Sequence, residues 1–310
     1  DMLKIYKTIN HELVQIKAIE EGAWIDLIRP SAEEIRQVSD ALELDPDFLK
    51  AALDEEERAR IENDNGNTLI LVDVPIMEQE GKMNLYTTIP LAIILARHTI
   101  ITVCLKEETI LNDFRKVKVK SFFTQYKTRF VLQILYRNST KYLMDLKQID
   151  KTSNRVEQDL HKSLKNKELI QMLKLQKSLV YFSTALKANE IVLEKLMKFE
   201  YVKNYPEDEE LLEDVIIENK QAIEMANIYS SILTGTMDAF ASVISNNLNI
   251  VMKYLTSVTI VMAIPTMISG FFGMNVDLPL KTPFAFWIIM GISVVTSILT
   301  GVALYRKKMF

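Results

Sequence analysis

The sequence predicts an α+β cytosolic domain followed by a long stalk helix and two C-terminal transmembrane helices, assembled as an oligomer. Three observations predict it. Short strand-like and β-rich apolar runs, with two helix starts between them, make up the first hundred residues. Neither proline nor glycine occurs between positions 91 and 205. Only two charged residues, Asp277 and Lys281, lie between Tyr254 and Tyr305.

The α/β domain spans 1–105. Leu3-Lys4-Ile5-Tyr6, Leu13-Val14-Gln15-Ile16 and the run from Ala23 to Ile28 fit short strands, as do 68–76, 83–95 and 98–104. Ser31-Ala32-Glu33-Glu34 opens a helix with a capping box, and Asp45-Pro46-Asp47 opens another with proline at its first position. Residues 106–208 form a helical region, because its connections contain no breakers and its apolar residues recur at three and four. Phe123, Tyr126, Phe130, Ile134, Leu143 and Leu146 carry that period.

Asn204-Tyr205-Pro206 and the acids 207–210 open the next helix, where negative side chains favour the dipole. Residues 209–272 then run as one stalk helix into the first apolar segment, interrupted only by Gly235 before Pro265. About 60 residues at 1.5 Å each give roughly 90 Å. Val215, Ala222, Ala226, Leu233, Met237, Phe240, Ile244 and Val251 form a coiled-coil-like stripe. A lone helix of this length is unstable, so the stripe predicts packing against copies of the same chain.

The uncharged runs 254–272 and 284–305 are each long enough to cross a bilayer, which takes about 20 residues. Lys253 precedes the first, and Arg306, Lys307 and Lys308 follow the second as a basic tail at 306–310. The loop 273–283 offers only Lys281. This bias places both termini in the cytoplasm of a multi-pass protein of the cell membrane. The tail also suits contact with anionic membrane lipid.

Several functions are disfavoured. With 37 Lys+Arg against 41 Asp+Glu the net charge is −4, which gives no affinity for nucleic acid. No nucleophile–base constellation, phosphate-cradling glycine loop or cluster of metal ligands appears, so neither catalysis nor nucleotide coupling is expected. The sole cysteine, Cys104, has no disulfide partner within the chain.

On a helix at 100° per residue, Asn249, Met252, Thr256, Thr259, Ala263, Thr266 and Gly270 share an arc of about 100°. That face is small, hydroxylated or amidic, while the remainder is mostly Ile, Val, Leu and Met. Polar groups within a span face water or a bundle interior, although Thr and Ser also cement helix pairs.

The first span closes in Phe271-Phe272-Gly273-Met274-Asn275. Gly-Met-Asn at this place resembles the CorA family of Mg²⁺ channels, in the motif and in the order of the parts. The resemblance implies a homopentamer that conducts Mg²⁺, with Co²⁺ or Ni²⁺ as other cargo. It implies a selectivity filter at Gly273, Met274 and Asn275, pore-lining roles for Asn249, Met252 and Thr266, and an apolar constriction at Met252 and Leu255. It also implies closure by cytosolic Mg²⁺ bound between neighbouring domains, with Asp214 as one regulatory ligand. The partner carboxylate is open; the acids 54–57 are one candidate, and a solvated charge run is the plainer account of them.

The chemistry fits that filter. Mg²⁺ sheds its water reluctantly, so a ring of neutral amide oxygens from Asn275 would grip the hydrated ion without trapping it. The loop Val276-Asp277-Leu278-Pro279-Leu280-Lys281-Thr282 departs from the family's acidic segment and weakens cation recruitment at the mouth. Two alternatives remain. A ZntB-like zinc transporter would more often carry Gly-Ile-Asn, and a membrane-anchored coiled-coil scaffold would leave the polar stripe unexplained.

Overall fold

The computed structural model describes residues 3–81, 83–163, 166–274 and 284–307. The chain divides into two compact units, 1–236 and 237–310. The first is built on one seven-stranded sheet in the order β2-β1-β3-β7-β6-β5-β4. Its strands are β1 Leu3–Ile9, β2 Glu12–Ile16, β3 Trp24–Ile28, β4 Arg60–Asp64, β5 Asn67–Glu80, β6 Met83–Leu95 and β7 Ile100–Cys104. The β3–β7 pair is parallel and the others are antiparallel.

Side chains alternate between two cores, as the pleat requires. Ile25, Leu27, Leu69, Leu71, Ala92, Ile94 and Ile101 pack with α1 (Ala32–Leu42), α2 (Pro46–Lys50) and the turn Ala51–Leu53. Trp24, Ile70, Val72, Leu91, Ile93 and Ile100 pack with α3 (Thr109–Arg115), α4 (Lys127–Ser163), α5 (Asn166–Leu196) and the first turns of α7 (Pro206–Phe272). Both faces of the sheet are therefore covered. The capping box of α1 is formed: Ser31 Oγ accepts from Glu34 N–H at 3.2 Å, and Glu34 accepts from Ser31 N–H at 2.8 Å.

The β5–β6 ribbon outruns its neighbours. β4 pairs only as far as Leu71, and β7 begins its pairing at Leu91. The bare edges are closed by side chains. Asn189 of α5 meets the backbone of Asp73 twice, accepting from its N–H at 2.9 Å and donating to its carbonyl at 2.8 Å. Asn138 and Tyr142 of α4 donate to the same carbonyl. Because Asp73 turns both backbone groups outward, it makes no ladder bond to Pro90 opposite, where the missing N–H is not needed. On β6, Tyr86 N–H donates to Ser178 Oγ at 3.1 Å.

Burial lifts the Asp73 carboxyl to about 6 from its ordinary 3.8. Between those values the folded chain holds a proton that the unfolded chain has released. Stability contributed by this group therefore falls as pH rises through that window and then levels off. Asp73→Asn is expected to gain at most about 3 kcal/mol near pH 8 and nothing below about pH 4. Thermal melts at the two pH values check this, and equal melting of both proteins near pH 8 would contradict it.

Two expectations are corrected. Residues 116–126 are not helical despite lacking glycine and proline. Val117 and Ser121 take positive φ, at 54° and 55°. Tertiary contacts hold the segment open: Phe122 enters an aromatic cluster with Phe114 and Phe130 at 5.0 and 4.5 Å. Thr124 and Thr8 also exchange reciprocal bonds of 3.0 and 3.1 Å between hydroxyl and backbone N–H.

The second correction concerns α7, a helix of 67 residues. Val215, Ala222, Ala226 and Leu233, assigned above to an interface between copies, are at most 1 % exposed inside the chain's own first unit. Asn219 fixes that packing by donating to the carbonyl of Leu186 at 3.1 Å. Ile217, Ile228 and Ile232 stand on a different, open side.

Candidate functional site

The second unit holds the end of α7 and α8, Ala285–Arg306. Both helices are apolar, with mean hydropathy of 1.7 and 2.1 over their most apolar windows, and only 6 % of either window is buried. Phe286, Trp287 and Leu299 are among the large side chains left bare. Apolar surface of this extent needs a non-aqueous surrounding.

The two helices meet along small residues. Ser257 is fully buried and Ser293 nearly so. A Cβ on Gly301 would stand 4.0 Å from Val261 Cγ2, an ordinary contact, so the two helices face each other at this level. Pro265, Ser269 and Phe272 of α7 and Phe286, Ile289 and Met290 of α8 line a groove of about 810 Å³ beyond that contact. Pro265 has no N–H for the carbonyl of Val261 one turn earlier.

Ser257, Val261, Ile264, Ile268 and Phe272 form the more buried side of α7 in this unit. At 100° per residue, the arc from Asn249 to Gly270 is centred on the opposite side. Asn249, Met252, Leu255, Thr256, Thr259, Thr266 and Gly270 are exposed in the single chain, and Ala263 is half-buried. Thr259 Oγ1 donates to the Leu255 carbonyl at 2.8 Å, and Thr266 Oγ1 to that of Met262 at 3.1 Å. Each hydroxyl proton is thus spent on the helix, and the oxygen lone pairs are left as acceptors on the open face.

α7 closes at the glycine. Gly273 N–H donates to the Ser269 carbonyl at 2.9 Å, and Met274 N–H to that of Phe271 at 3.4 Å. A Cβ on Gly273 would come within 3.1 Å of the Ser269 oxygen, so a larger residue would require that carbonyl to shift by a few tenths of an ångström. Met274 is exposed. Asn275, the loop 276–283 and Lys308 lie outside the described residues. Arg306 and Lys307 end α8 exposed, where cations favour the helix dipole.

Asp214 is exposed on the third turn of α7, facing away from the buried Leu212 and Val215. The acids 54–57 are mostly engaged locally. Asp54 accepts from Glu56 N–H at 3.0 Å, Glu55 pairs with Lys106 at 3.1 Å, and Glu57 pairs with Arg60 at 2.5 Å. Among the described residues of one chain, no group of three or more His, Cys, Asp or Glu is placed to hold a metal.

A sheet domain covered on both faces, a helix that leaves it, and two bare apolar helices define an integral membrane protein with a large soluble domain. Residues 20–306 match the family described as CorA-like Mg²⁺ transporter protein, and the chain belongs to that family. It is 30 % identical over 292 residues to the cobalt/magnesium transport protein CorA of Methanocaldococcus jannaschii, covering 92 % of this chain and 90 % of that one. The complete structure of the CorA magnesium transporter from M. jannaschii superposes with a TM-score of 0.83 at 27 % identity, over 99 % of this chain and 98 % of the other. The cytoplasmic domain of ZntB from Vibrio parahaemolyticus gives 0.61 at 15 % identity, over 79 % of this chain and 98 % of that domain, a likeness of fold alone.

Proposed function

We propose that several copies of this chain, five by analogy with the family, form a gated membrane conduit for Mg²⁺ with both termini in the cytoplasm. The observation that carries this reading is the two-sidedness of α7. One side meets α8, and the opposite side presents Thr256, Thr259, Ala263, Thr266 and Gly270 to whatever lies beyond the single chain. If that side lines a shared axis, its hydroxyl oxygens accept hydrogen bonds from the waters around a divalent ion. Asn275, which follows Gly273 and Met274 in the sequence, would add a ring of amide oxygens in the same role. Neutral acceptors hold the hydrated ion weakly enough for it to pass.

Met252 and Leu255 give an apolar ring lower on α7, which closes by dewetting when the copies draw together. The membrane potential supplies the drive, about 2.3 kcal/mol per elementary charge per 100 mV, and so about twice that for a divalent ion. Closure follows from divalent ions held between first units, with Asp214 among the ligands. Arg306, Lys307 and Lys308 anchor α8 at the cytoplasmic headgroups. Co²⁺ fits the same hydrated-ion filter, as the name of the M. jannaschii relative suggests, and Ni²⁺ does so by size and charge.

Zinc transport is the second reading, and Met274 in the motif opposes it. Ion influx into dye-loaded proteoliposomes, inside negative, separates the two. Mg²⁺ entry that exceeds Zn²⁺ entry supports the proposal, and Zn²⁺ entry alone overturns it. For regulation, Asp214→Ala is expected to raise the internal Mg²⁺ needed for closure by about tenfold, the effect of losing roughly 1.4 kcal/mol of ligation. Closure at the wild-type concentration would remove Asp214 from the sensor.

A further inference from the structure

The loop between α3 and α4 lies against one face of α4, and a groove of about 380 Å³ runs between them. Lys118 and Lys120 from the loop and Arg129 and Arg137 from α4 line it. Arg129 and Arg137 lie eight residues apart, on one side of the helix. Between the two lysines, Val119 is buried in the core at 8 % exposure and pins the loop, while Val117 before them holds a φ of 54°. A β-branched residue in the left-handed region is strained, and such strain persists where the surroundings impose it.

The groove's charges are incompletely matched. Asp208 and Glu207 hold Arg129 at 3.0 and 3.3 Å. Asp113 is shared between Lys118 at 3.5 Å and Arg137 at 3.9 Å, distances too long for strong hydrogen bonds. Lys120 makes no ion pair with a described residue. Thr140, also in the lining, buries an Oγ1 that has no hydrogen-bond partner among the described residues.

We infer that this groove binds a small soluble phosphate-bearing anion. Guanidinium groups match phosphate oxygens two at a time, and lysines add point charges from the other wall. Three carboxylates, Asp113, Glu207 and Asp208, offset the four cations, so one net positive charge is left for the anion. The volume admits a phosphate group with a short tail. Arg129 is shared, so the anion competes with Glu207 and Asp208 for the same guanidinium at the start of α7.

Inorganic phosphate and tripolyphosphate, each titrated calorimetrically into the full-length protein in detergent at fixed ionic strength, test the inference. Saturable binding at one site per chain is expected. Lys118→Ser with Lys120→Ser should weaken it at least about tenfold, and Glu207→Gln should strengthen it about threefold by freeing Arg129. The control pair Lys167→Ser with Lys187→Ser, exposed on α5, should change it less than about twofold. Tighter binding of tripolyphosphate supports a ligand with a phosphate chain, and equal affinity supports free phosphate. No saturable binding, or binding in the Lys118/Lys120 variant within about twofold of wild type, overturns the site.

Discussion

Asn275→Ala is expected to reduce Mg²⁺ influx to near the level of protein-free vesicles while leaving the assembly intact. Alanine removes the amide oxygen at the position where the family motif closes the first span. Three or more such contacts to ion-bound waters, at about 1 kcal/mol each, raise the barrier by roughly 3 kcal/mol, or about 150-fold in rate. Asn275→Gln keeps the amide one methylene further out and should recover part of the flux. Influx by dye fluorescence, with size-exclusion chromatography for the assembly, checks both. Unchanged flux in the alanine variant would move the filter away from this residue and leave the Thr face of α7 to act alone.

Asp26→Ala is expected to destabilise the first unit by about 3–5 kcal/mol, because it strands a buried cation. Asp26 is 1 % exposed in the middle of β3 and accepts from Arg115 Nε at 2.6 Å and from Thr102 Oγ1 at 3.0 Å. Thr102 in turn accepts from Trp24 Nε1 at 2.9 Å, and the Trp24 ring packs on Tyr6 and Phe130 at centroid distances of 5.1 and 5.2 Å. The network joins the sheet to α3 and α4. Trp24 is wholly buried and Trp287 lies exposed in the other unit, so the emission change on heating reports this network. For a unit of this size the melting temperature should fall by about 10 °C. Adding Arg115→Met should restore most of it, since the stranded charge is then gone. A loss below about 1 kcal/mol in the single variant would contradict the network's role.

Much of this fold was legible in the sequence because its signals are local. The apolar, β-rich runs at 24–28 and 68–76, the Ser31/Glu34 capping box and Pro46 each act within a few residues. β4 was missed because Arg60-Ile61-Glu62-Asn63-Asp64 is too polar to read as a strand. Its signal was nevertheless present: Asn65-Gly66 forms the two-residue turn into β5, with φ of 49° and 82°. The loop 116–126 was illegible because no breaker marks it. Its cause is the pull of Phe122 and Thr124 toward partners far away in sequence.

The helix α7 carried two stripes, and periodicity could not say which neighbour each would meet. Its Val215–Leu233 line went to the chain's own α5 side. In the second unit the sequence predicted the Thr arc, but could not know that α8 would take the opposite side through Ser257 and Val261. The groove by Lys118 and Lys120 gave no motif at all, because it is assembled by a loop whose path depends on the fold.

Cysteine accessibility along α7 tests the central claim most directly. The native Cys104 will not interfere: it is 1 % exposed, and burial pushes its thiol up to about 12. Single substitutions Thr259→Cys and Thr266→Cys place a thiol on the open side, and Ser257→Cys and Ile268→Cys place one toward α8. In proteoliposomes conducting Mg²⁺, a cationic thiosulfonate reagent should block influx through the first two and spare the last two. Block through the α8-facing positions, with Thr259→Cys and Thr266→Cys unaffected, would show that the conduit does not run along this face.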